Sequence, residues 1–68
     1  MEFVVTQKRI GKYIVNLLKE RTGSFEIQVF RDGLINYVYG LYVGKDFDCA
    51  VKEYYNTCEK YEEETKGE

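Results

Sequence analysis

The sequence predicts an α+β fold, an antiparallel sheet of three to four strands with one C-terminal helix packed on one face. Three observations lead there. Apolar residues recur at helical spacing from Phe47 onward. An alternating run, an Asp-Gly dipeptide and a second run of β-forming residues follow one another between Phe25 and Val43. The first twenty residues carry β-branched side chains on either side of a glycine.

The N-terminal stretch reads as two strands, Phe3–Arg9 and Lys12–Glu20, broken near Ile10-Gly11. Val4, Val5, Ile14 and Val15 prefer a pleated strand, and Gly11 would weaken a helix interior by about 1 kcal/mol. Ile10, Tyr13, Ile14, Leu17 and Leu18 also fit a helical stripe, so strand and helix both stand as readings of residues 7–21. Thr22-Gly23 then marks a turn.

Phe25-Glu26-Ile27-Gln28-Val29-Phe30-Arg31 alternates, and Asp32-Gly33 signals a two-residue type I′ turn into Leu34–Val43. That turn would set Phe25 opposite Gly40, Ile27 opposite Val38 and Val29 opposite Asn36, a floor for the helix. The other face would pair Glu26 with Tyr39, Gln28 with Tyr37 and Phe30 with Ile35, and carry Leu41. One helix covers one face, which leaves this second, tyrosine-bearing face open as an interface.

The helix is expected over Asp46–Glu63. Phe47, Ala50, Val51, Tyr54, Cys58 and Tyr61 form its inner stripe, and Lys52, Glu53, Asn56, Glu59, Lys60 and Glu63 its outer one. Asp46 suits the N-cap, because its carboxylate can accept from first-turn amides. Residues 1–64 thus make a single domain, followed by residues 65–68 as a disordered acidic tail.

Composition narrows the function. A chain of 68 residues holds one domain with a small core. Histidine is absent, which removes the usual acid–base residue at neutral pH and the usual metal ligand. Cys49 and Cys58 would sit on opposite sides of one helix, about 13 Å apart along its axis. A disulfide needs Cα atoms within about 7 Å, so free thiols and a reducing, cytoplasmic setting are expected. No glycine arrangement matches a phosphate loop, and no apolar run approaches a membrane span. No catalytic residue, cofactor or metal site is expected. Net charge is −2: residues 1–33 carry six Lys/Arg against four Asp/Glu, and residues 34–68 four against eight. A general nucleic-acid binder is usually basic.

The expectation is therefore a non-enzymatic binding protein. Phe30, Tyr37 and Tyr39 on the open face and Glu59, Glu62, Glu63 and Glu64 at the helix end are the candidate contacts. This small, acidic, tyrosine-rich chain ending in Tyr61-Glu62-Glu63-Glu64 resembles the host-takeover proteins of phages and mobile elements, of which the anti-CRISPR proteins are one group. The resemblance is one of size and composition. It implies a protein partner, a bacterial defence nuclease complex, whose Arg- and Lys-lined site the carboxylates would occupy in place of phosphates.

A second reading is a nucleic-acid-binding module. Three strands and a helix, with Tyr39-Gly40-Leu41-Tyr42 leading to Phe47 through Tyr54, resemble the AP2-type and integrase arm-binding DNA domains in outline. Those domains read DNA with Arg, Lys and Trp on the sheet face. Here that face would show Glu26, Gln28, Tyr37 and Tyr39, and tryptophan is absent. A homodimer through the same open face is a further expectation, since dimers relieve a small core.

Overall fold

The computed structural model describes residues 3–67 and shows the expected α+β architecture. Strands β1 (Phe3–Ile10), β2 (Tyr13–Lys19), β3 (Phe25–Arg31) and β4 (Tyr39–Gly44) form a meander, each pairing antiparallel with the next. Helix α1 (Phe47–Lys66) follows and lies across one face. The N-terminal stretch is strand rather than helix. Gly11 opens the β1–β2 turn with φ of 58°, a conformation closed to most side chains. Gly23 takes the same role between β2 and β3, where its amide donates to the Glu20 carbonyl at 2.9 Å.

The β3–β4 connection departs from expectation. Gly33 has a positive φ and Asp32 does not, and the Leu34 amide donates to the Arg31 carbonyl at 3.1 Å. That is the pattern of a type II turn, which splays the strands instead of pairing them at once. Residues 32–38 then form a loop, closed where the Val38 amide donates to the Val29 carbonyl at 2.7 Å. Val29 consequently faces Tyr39, Ile27 faces Leu41 and Gln28 faces Gly40. The two-residue turn would have put Asn36, Val38 and Gly40 under the helix. The observed register puts Tyr39, Leu41 and Val43 there, and burial of this larger apolar set outweighs the local preference of Asp-Gly.

The core lies between sheet and helix. Val15, Leu17, Ile27 and Val29 project from the central strands and meet Ala50, Tyr54, Cys58 and Tyr61. The Tyr54 hydroxyl donates to the Val15 carbonyl at 2.9 Å, and the Tyr61 ring lies 4.7 Å from that of Tyr13. Asp46 caps the helix as expected, accepting from the amides of Asp48 and Cys49. At the other end the helix outruns its expected limit. Thr65 and Lys66, assigned to a tail by sequence, complete the last turn, with Thr65 packed against the bare Cα of Gly11. Gly67 closes the helix, and Glu68 lies outside the described residues.

Candidate functional site

Strand register assigns every side chain to a face. The helix side carries Thr6, Lys8 and Ile10 of β1, and Tyr39, Leu41 and Val43 of β4. The far side carries three rows: Val4, Leu18, Glu26 and Tyr42; Gln7, Asn16, Gln28 and Gly40; and Arg9, Ile14 and Phe30.

The far side is not a bare sheet. Asn16, Leu18 and Glu26 are buried, and Gln28 and Phe30 are half-buried. The Gln7 side-chain amide donates to the Asn16 carbonyl oxygen at 2.8 Å, which satisfies polar groups in the middle row. Tyr37 folds back from the loop and lays its ring over Gly40, where an added Cβ would come within 2.9 Å of it. The same ring meets Phe30 edge-on at 6.1 Å.

Val4 and Tyr42 stay exposed on the far side, and a further group of exposed apolar side chains gathers in the β3–β4 loop. Leu34, Ile35, Tyr37 and Val38 all face solvent, Ile35 at 93 % exposure, around a shallow depression of about 470 Å³. Sequence reading left Leu34, Ile35 and Val38 out of the site: it set Val38 under the helix, Ile35 in the open face opposite Phe30, and Leu34 at the start of the strand. The available signal was four large apolar residues within five positions directly after a turn.

The seven candidate residues do not converge. Phe30 and Tyr37 lie together on the far side, as expected. Tyr39 does not: the register shift carries it under the helix, half-buried, with the Lys60 ammonium 5.2 Å from its ring. The four glutamates belong to the helix layer, on the opposite side of the sheet from Phe30 and Tyr37. Glu62 accepts a hydrogen bond from Lys8 Nζ at 3.0 Å, and this contact raises the lysine pKa. Glu59, Glu63 and Glu64 are exposed. Among the basic residues of the N-terminal half, Lys8 is therefore held charged beside Glu62, and Arg9 is paired with Asp32.

The thiols are separate and free. Cys49 is exposed beside the N-cap, where the Asp46 carboxylate, with some desolvation, pushes its pKa up. Cys58 is buried in the core, and burial pushes its pKa up as well. A reactive thiol needs the opposite shift. We expect one thiol per native chain to react with a neutral-pH alkylating reagent, more slowly than an unstructured cysteine. Cys58 should react only after unfolding, and mass spectrometry of the labelled, digested protein distinguishes the two.

No helix among the described residues is long and apolar enough to cross a membrane. No protein-family model, curated protein or solved structure matches this chain.

Proposed function

We propose that this chain is a non-catalytic protein-binding domain that modulates a larger protein by occupying a site on it, and that the β3–β4 loop makes the central contact. The observation that carries this reading is the run Leu34, Ile35, Tyr37 and Val38. Loops that only connect strands are normally polar, and contiguous exposed apolar surface is a mark of partner sites. Tyr37 is held against Phe30 and Gly40, so an anchor residue is ordered before binding. The partner class implied by the resemblance to host-takeover proteins is a bacterial defence nuclease complex. The helix acids Glu59, Glu63 and Glu64 would then form a second, more peripheral contact.

The ion pairs of Lys8 and Arg9 take two of the candidate phosphate contacts away from the alternative of nucleic-acid binding, whose basic stripe would also use Lys12, Lys19 and Arg21. The test measures binding to purified defence effector complexes, comparing wild type with Ile35→Asp, Tyr37→Glu and a Glu59→Lys/Glu63→Lys pair. Loss of a central anchor costs 2 kcal/mol or more, so the loop variants should bind at least ~30-fold more weakly while folding normally. The charge pair should lose less. Undiminished binding by Ile35→Asp and Tyr37→Glu would remove the loop from the interface. Binding to oligonucleotides with a steep salt dependence, and to no protein, would overturn the reading in favour of the second one.

A further inference from the structure

Hydrogen bonds inside the sheet identify the backbone groups that point out of it. The Glu20 amide donates to the Ser24 carbonyl, and the Asp32 amide to the Lys12 carbonyl. The even-numbered residues of β2 therefore bond to β3, and its odd-numbered residues to β1. Leu17 meets Thr6 and Val15 meets Lys8 across that second pairing. The N–H and C=O groups of Gln7 and Arg9, which alternate with these, are directed away from the sheet. Among the described residues no strand lies outside β1 and no backbone partner reaches them. Two residues apart, they repeat at about 7 Å, the spacing at which a further strand pairs. The strand contains no proline, and beyond the irregularity at Val5 its register runs evenly from Thr6 to Ile10.

Alongside this edge runs a groove of about 470 Å³, between β1 and the first turns of α1. Four consecutive residues of β1, Val5 to Lys8, line it. Successive side chains leave a strand on opposite faces, so a groove that touches four in a row runs along the backbone edge itself. Phe47, Val51 and Tyr55 form the opposite wall. The helix is seated on Ala50, Tyr54, Cys58 and Tyr61, so the adjacent stripe of Val51 and Tyr55 overhangs β1. Tyr55 is left 67 % exposed and Phe47 51 % exposed.

We propose that this edge binds an extended, uncharged segment of a partner protein that carries apolar side chains at every second position. Hydrogen bonding selects an extended backbone. The outward groups of Gln7 and Arg9 offer a donor and an acceptor each at strand spacing. Another strand matches all of them, whereas a helix uses its own and an apolar small molecule has none. The side-chain pattern follows from the pleat. In an added strand the residues opposite Thr6 and Lys8 share their face, so these side chains enter the groove beneath Val51 and Tyr55. The residues opposite Gln7 and Arg9 lie on the far side of the sheet.

Charge matching points the same way. The two cations of β1 each have an acid beside them, Glu62 for Lys8 and Asp32 for Arg9. The edge is thus neutral along its length and fits a segment without charge. A phosphate backbone meets no unmatched base on this strand. The site is separate from the β3–β4 loop, which lies at the opposite edge of the sheet, and it stands whether or not that loop binds anything.

The test selects a displayed library of random short linear peptides against the whole folded chain, then measures the enriched peptides by titration and by amide exchange in nuclear magnetic resonance. Enriched sequences should alternate apolar with small polar residues and contain no internal proline. Bound peptide should slow exchange of the Gln7 and Arg9 amides at least ~10-fold, while those of Thr6 and Lys8 are protected beforehand by β2. Gln7→Pro deletes an outward amide, where an edge strand tolerates proline, and should weaken binding at least ~10-fold. That change also removes the Gln7–Asn16 hydrogen bond, so circular dichroism checks its folding. Tyr55→Glu, at an exposed helix position, leaves the sheet untouched and should weaken binding at least ~10-fold by placing a charge over the groove. Failure to enrich any peptide overturns the proposal. So does a peptide that leaves Gln7 and Arg9 exchange unchanged, or one lost with Ile35→Asp, which would sit at the loop. A wild type whose Gln7 and Arg9 amides are already protected, in a particle of twice the 8.1 kDa chain mass, overturns it in favour of a second copy.

Discussion

Tyr54→Ala is expected to remove half or more of the domain's stability. The ring is buried in the centre of the helix face, between Ala50 and Cys58, and its hydroxyl reaches through the core to the Val15 carbonyl at 2.9 Å. Removing a large buried aromatic costs about 3–5 kcal/mol, from lost transfer energy and the cavity left behind. A chain of 68 residues has on the order of 3–10 kcal/mol in total. Partial collapse offers little relief, because Tyr54 also forms the floor of the groove beside β1, and its loss opens that groove into the core. Tyr54→Phe separates the two contributions. It keeps the ring and removes one hydrogen bond, for about 1 kcal/mol. Urea denaturation should show a modestly lowered midpoint for phenylalanine and a midpoint at half the wild-type value or below for alanine. A cooperative transition in Tyr54→Ala near the wild-type midpoint would mean that the helix is not seated as described.

The second large effect is unfolding on the alkaline side. Burial raises the pKa of Tyr54, with the neighbouring Cys58 adding to the shift. Burial also raises Tyr61, reinforced by Glu64, and it raises Cys58 itself despite opposing influence from Tyr54 and Lys8. In each case the fold holds a proton that the unfolded chain releases more readily. The stability these groups contribute is therefore whole below their ordinary values, 9.0 for the thiol and 10.0 for the phenols. It is lost progressively as pH rises above them. Far-ultraviolet dichroism should fall cooperatively above about pH 10, together with a late step in tyrosinate absorbance. Tyr54→Phe should move that loss to higher pH. Seven tyrosines titrating smoothly near their ordinary values, with the dichroism unchanged, would contradict the burial of Tyr54 and Tyr61.

Much of the architecture is readable along the chain, where the determining interactions are local. The helix shows in the spacing of Ala50, Tyr54, Cys58 and Tyr61, and its start shows in Asp46, because capping involves residues only two and three positions away. Gly11 and Gly23 mark turns because their backbone angles exclude other residues. The misreadings come from contacts that are distant in sequence. Leu34, Ile35, Tyr37 and Val38 have the composition of a strand, and nothing nearby says they are a loop. That follows only from what β4 must offer the helix, which is Tyr39, Leu41 and Val43. Because the register moves three positions, an odd number, Tyr39 changes faces while Tyr37 still reaches the far side by folding over Gly40. Gly40 lies under the Tyr37 ring, and Phe25, expected opposite it, pairs with Gly44. The last helical turn was hidden for a similar reason: Thr65 is held by Gly11, at the other end of the sequence.

The order of elements along the chain has a bearing on how the protein is made. All four strands precede the helix, and each strand pairs with its sequence neighbour, so the sheet can assemble hairpin by hairpin within microseconds of becoming available. Its cover is the 20-residue helix synthesised afterwards. At about 5–20 residues per second, that takes roughly 1–4 s. Until the helix docks, Val15, Leu17, Ile27, Val29 and Leu41 have no partner layer from their own chain. A chain truncated before Asp46 should therefore bind a dye for exposed apolar surface that the intact domain does not bind.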